Sequence, residues 1–106
     1  MSKAIDNKIK SYLKDVKNIV PYKKAFIFGS YLNDNHNVFN SDIDIALFSD
    51  KIDNNLREQY QIKCLLAISK YMLDIQPMIY SIKDYNDKTN DFIQKEIIKK
   101  GKEVKI

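Results

Sequence analysis

The sequence predicts an α/β domain in which helices alternate with short strands around one small sheet. Apolar residues recur at helical spacing over the first twenty positions and again over 56–71. Three short apolar runs, near 24–28, 43–48 and 73–80, have the length and composition of strands. Stretches of turn-forming residues separate these segments, with neither repeats nor linkers between them.

Each element has a local cause. Ile5, Ile9, Tyr12, Leu13, Val16, Ile19 and Val20 share one helical face, and Pro21 closes that first helix. A first strand covers about 24–28. Gly29 and Ser30 break it into a short helical turn that reaches Leu32. The stretch Asn33 to Asn40 is built of turn formers and delivers a second strand over about 43–48. Asn55, with Glu58 three positions later, resembles a capping box and opens a helix to about Tyr71. Leu56, Tyr60, Cys64, Ala67, Ile68 and Tyr71 form its apolar stripe. A third strand runs from Leu73 to Tyr80, a loop is expected at Asp84-Tyr85-Asn86-Asp87, and a final helix from about Asn90 stops at Gly101.

Composition narrows the function classes. At 106 residues and 44% hydrophobic content the chain can bury one core and is too short for two, so residues 1–106 read as a single domain. One cysteine, Cys64, excludes an internal disulfide framework, and no Cys and His cluster offers a zinc site; a reducing, cytoplasmic setting fits. No apolar run has the length of a signal peptide or a membrane span. The net charge of +4 comes from lysines interleaved with acids, denser only at Lys95, Lys99, Lys100, Lys102 and Lys105, which read as a solvated face. Aromatic residues do not interleave with them as a single-strand platform requires, so nucleic-acid binding is a minority reading.

The chemistry concentrates in residues 29–44. A strand that breaks into a helix at Gly29-Ser30 leaves backbone N–H groups free to hold phosphate. Asp42 and Asp44 alternate with Ile43, Ile45 and Leu47, so both carboxylates leave the strand on one face. Same-face neighbours stand roughly 6.6 Å apart along a strand. From there they can converge on two metal ions about 4 Å apart. Such hard oxygen donors suit magnesium. The bland alternative makes Gly29 a turn, Ser30 a helix cap and the aspartates solvent-facing strand residues. His36 reads as an exposed loop residue and Cys64 as inert packing. Tyr22, Tyr31 and Tyr80 are given no role.

Gly29-Ser30, a spacer and Asp42-Ile43-Asp44 resemble the signature of the DNA polymerase beta-like nucleotidyltransferase superfamily, and within it the small MNT type. The segments Asp74 to Tyr80 and Phe92 to Gly101 look like the last strand and closing helix of that fold, so the resemblance covers nearly the whole chain. It implies a small mixed β-sheet flanked by helices. Eleven residues separate Ser30 from Asp42, slightly more than in many members, and Asn33 and Asp34 replace the frequent Arg and Gly. Family members place a third carboxylate on a later strand. Asp74 and Gln76 share a face of the candidate strand; Asp74 is taken as the working acid, while counting back from Tyr80 favours Gln76, which cannot act as a base.

The resemblance implies a mechanism. Asp42, Asp44 and Asp74 would hold two magnesium ions, Gly29 and Ser30 would anchor the outer phosphates, and a nucleoside monophosphate, AMP from ATP, would pass to a hydroxyl acceptor. The MNT type is similar to the antitoxin half of a two-component system whose other half is a HEPN-domain ribonuclease, and the implied acceptor is a tyrosine of that partner. The rival is a degenerate domain that neutralises its partner by binding alone. A third possibility is a free-standing enzyme acting on a small hydroxylated molecule.

Overall fold

In the computed structural model, residues 3–32 and 42–106 are described. The first amphipathic segment forms α1, Lys3–Lys17, and buries Ile9, Tyr12, Leu13 and Val16. The helix ends three residues before the apolar stripe does. Ile19 and Val20 are held in a turn whose N–H groups both donate to the Val16 carbonyl, at 2.8 Å. Pro21, which lacks an N–H, then turns the chain into β1, Tyr22–Phe28. That strand starts two residues earlier than the sequence predicts, and the Tyr22 hydroxyl ties its start to α1 by donating to the Leu13 carbonyl at 2.8 Å.

A 3₁₀ turn, Ser30–Leu32, follows β1, and β2 covers Ile43–Ser49. Next comes α2, Asn54–Leu66, which tightens to 3₁₀ geometry over Ala67–Tyr71 instead of running on as an α-helix. The cap of α2 differs from the expected Asn55 and Glu58 pair. Asp53 caps it, its carboxylate accepting from the Leu56 N–H at 2.9 Å. A genuine capping box appears further on, where a loop was expected. Ser81 and Asp84 exchange side-chain and backbone hydrogen bonds and open α3, Ile82–Asn86, directly after β3, Ile75–Ser81.

The closing helix is a π-helix over Ile93–Lys99, and the Lys100 N–H reaches the Lys95 carbonyl at 3.2 Å. It stops at Gly101 as the sequence predicts. A Cβ on Gly101 would collide with the carbonyl oxygens of Ile97 and Ile27, so glycine lets the helix end lie directly on β1. Two further residues, Lys102–Glu103, form β4, a strand too short to be read from sequence.

The strand order is β3-β2-β1-β4, with β1 antiparallel to both β2 and β4, and β2 parallel to β3. The sheet is therefore mixed. Cores form on both faces, which is why β1 and β2 are apolar on both sides. On one face Ala25, Ile27, Ile43, Ile45 and Leu47 meet α1 and the Cys64 side of α2. There the buried Tyr12 hydroxyl donates to the Cys64 carbonyl at 2.8 Å. On the other face Phe26, Phe28, Ala46 and Phe48 meet Ile93 and Ile97 of the closing helix. The edge strand β3 is blunted: Pro77 has no N–H, and its carbonyl accepts from Gln61 of α2 at 2.5 Å. No helix among the described residues is long and apolar enough to cross a membrane.

Candidate active site

On the second sheet face aromatic side chains pack around Phe48 toward one end. Toward the other, Phe28 of β1, Asp44 of β2 and Gln76 of β3 lie side by side in register. One step before them, Ile43 pairs with Ile75, and its N–H donates to the Asp74 carbonyl at 2.8 Å. The strand alternation therefore brings Asp42, Asp44, Asp74 and Gln76 to one face at the ends of two parallel strands.

The side chains respond to this crowding. A hydrogen bond with Asp74, then the charge of Asp74, then burial and the charge of Asp44 push the Asp42 carboxyl above its ordinary range. Asp74 is thus the strongest influence on the Asp42 carboxyl, and Asp44 a weaker one. Burial raises Asp44 as well, since it is half-buried between the neighbouring strands. Gln76 donates its amide to Asp74 Oδ1 at 3.3 Å. In register terms Gln76 faces Asp44, while Asp74 is the acid that meets Asp42. Glutamine thus serves as a hydrogen-bond donor beside the acid pair, a relation that needs strand register to be seen.

Gly29 completes the group. It has φ +83°, a left-handed conformation that ends β1, and a Cβ there would overlap Asp44 Oδ2. The missing side chain is the space that the Asp44 carboxylate fills. Ser30 begins the 3₁₀ turn, and the Leu32 N–H closes it onto the Gly29 carbonyl at 3.2 Å. The side chain of Ser30 and the whole of 33–41, including His36, lie outside the described residues.

Among the described residues no ion pair reaches Asp42, Asp44 or Asp74. Nor are three or more acidic, His or Cys side chains drawn into one metal-chelating cluster. By chemistry the three aspartates are the all-oxygen donors a hard divalent cation takes, although their side chains do not converge on one point among the described residues. Tyr80 stands on the same face, stacked on Phe48 with ring centroids 5.5 Å apart. Burial chiefly raises its hydroxyl, with the charges of Asp84 and Asp44 adding to the shift and Arg57 opposing it.

Cys64 is fully buried, and burial lifts its thiol to about 11, in keeping with inert packing. Tyr22 and Tyr31 are buried on the opposite face of the sheet, away from the carboxylates.

The family model described as Polymerase beta, Nucleotidyltransferase matches residues 7–105. The chain belongs to this nucleotidyltransferase family. No curated protein and no solved structure matches it. Since the match takes in all four strands, the mixed sheet and the coarse activity, a transferase acting on a nucleotide, follow from membership. Nucleotidyltransferase domains in general use a nucleoside triphosphate and a divalent metal, which accords with oxygen donors at the ends of two parallel strands, one of them, Asp44, seated at the Gly29 turn.

Proposed function

We propose that this nucleotidyltransferase moves AMP from ATP, with magnesium, to a tyrosine hydroxyl of a partner HEPN-domain toxin and so acts as its antitoxin in the cytoplasm. What supports the transfer is that Asp42, Asp44 and Asp74 fall at the ends of two parallel strands, with Asp44 seated at the Gly29 turn and no lysine or arginine paired to them among the described residues. Bound there, magnesium would neutralise the triphosphate and favour departure of pyrophosphate. Asp42 and Asp44 would be its principal holders and Asp74 the third. The acceptor oxygen bonds to the α phosphorus as the bond to pyrophosphate breaks, and the hydroxyl proton passes to a carboxylate, Asp74 being the candidate; it and Asp42 are the exposed acids of the three. The backbone around Gly29 would orient the outer phosphates.

One observation favours a second reading. Gln76, not an acid, stands in register with Asp44, and a domain short of a base would neutralise its partner by binding alone. The two separate in one experiment. The purified pair is incubated with magnesium and ATP, and the partner's intact mass is followed with wild type and with the Asp42→Ala, Asp44→Ala double variant. Transfer predicts an added AMP and loss of toxin inhibition in the double variant. Full inhibition by a folded double variant, with no mass gain from wild type, would establish the binding-only reading.

A further inference from the structure

The geometry points to Phe92 as the platform on which the donor's nucleobase stacks, an inference that rests on the nucleotidyl-transfer reading of the same site. Phe28 is buried beside Asp44, and Phe92 packs on it edge to face, with centroids 6.0 Å apart and planes at 85°. This contact engages at most one face of the Phe92 ring. Phe92 nevertheless remains 47% exposed, whereas Phe26 and Phe48 are buried and engaged with Tyr85 and Tyr80. Among the described residues the only other exposed large apolar side chain on this sheet face is Met78, on the β3 side of Asp44.

Position matters as much as exposure. Paired residues on antiparallel strands lie about 5 Å apart, so Phe92, one ring beyond Phe28, stands on the order of 10 Å from the Asp44 carboxylate. That is the reach of a nucleoside from its α phosphorus. Gly29 directly follows Phe28, so the phosphate turn and the aromatic platform share one strand end. Phosphates and base belong to one molecule, and a donor held by both leaves the β3 side, with Gln76 and Met78, open to the acceptor. A stacked base is read by its π face, so the platform strengthens donor binding without selecting strongly among bases.

The test is calorimetric titration of the full chain with magnesium-ATP and, separately, magnesium-tripolyphosphate, which has the phosphates and no base. Phe92→Ala is expected to weaken ATP about tenfold and leave tripolyphosphate unchanged, with Phe92→Trp restoring ATP affinity. Equal losses for both ligands would make Phe92 a structural residue, and no loss for either would remove its role; both overturn the proposal. If wild type bound neither ligand, the nucleotide site itself would fall and the platform with it, a failure distinct from the other two.

Discussion

Replacing Gly29 by alanine probes two constraints that meet at one atom. The residue sits at φ +83°, where a side chain costs about 1–2 kcal/mol from contact with the following carbonyl. The new methyl would also occupy the position of Asp44 Oδ2, forcing that carboxylate off its rotamer for a further ~0.5–1.5 kcal/mol. The sum, about 1.5–3.5 kcal/mol, corresponds in a domain of this size to a Tm drop of roughly 6–28 °C. Thermal and urea unfolding of a double-mutant cycle would separate the terms. The three nearest atoms to the added methyl all belong to Asp44, Oδ2 in overlap and Cγ and Cβ at 3.3 and 3.6 Å, so in an Asp44→Ala background that overlap disappears and the cost of Gly29→Ala should fall toward the backbone part. A single variant within 0.5 kcal/mol of wild type, or a cost unchanged in the Asp44→Ala background, would refute the claim that Gly29 exists to seat Asp44.

Three further expectations follow from the same geometry. Asp42→Asn should melt higher than wild type at neutral pH: a raised carboxyl contributes stability below its unfolded value near 3.8 and loses it as pH rises through the folded pKa, so the difference should vanish near pH 3 in a pH series of melts. Tyr12→Phe removes the buried hydrogen bond to the Cys64 carbonyl and should cost about 1–2 kcal/mol in urea unfolding, with little change in m. Cys64 should react with a thiol reagent at neutral pH only as fast as the protein opens, so labelling should accelerate sharply across the denaturation midpoint; prompt labelling of native protein would contradict its burial.

The sequence makes visible what is encoded within a few residues. The α1 stripe from Ile9 to Val16, the strands on either side of the Gly29 turn, and the shared face of Asp42 and Asp44 all follow from period and alternation. What depends on distant pairing is hidden. Whether Asp74 or Gln76 meets the other acids turns on the parallel register that sets Ile43 beside Ile75, and two residues of one strand give no sign of it. β4 exists only because Phe26 and Ile27 offer an edge to Lys102 and Glu103. α3 was concealed by its own composition: Asp84, Asn86 and Asp87 are turn formers, and the decisive signal was the Ser81 and Asp84 box just upstream. Asp53 outcompeted Asn55 as the cap of α2 because its carboxylate reaches the Leu56 N–H. The π-helical turns that present Ile93 and Ile97 to the sheet have no sequence signature that periodicity detects.

Calorimetric titration of ATP into wild type and Asp44→Asn, with and without magnesium, asks whether the carboxylates hold the nucleotide through a metal. Wild type should bind ATP only with the metal, and Asp44→Asn, still folded, should lose that metal-dependent binding. Binding of equal strength in the variant, or in the absence of any divalent cation, would show that the nucleotide is not held through these carboxylates.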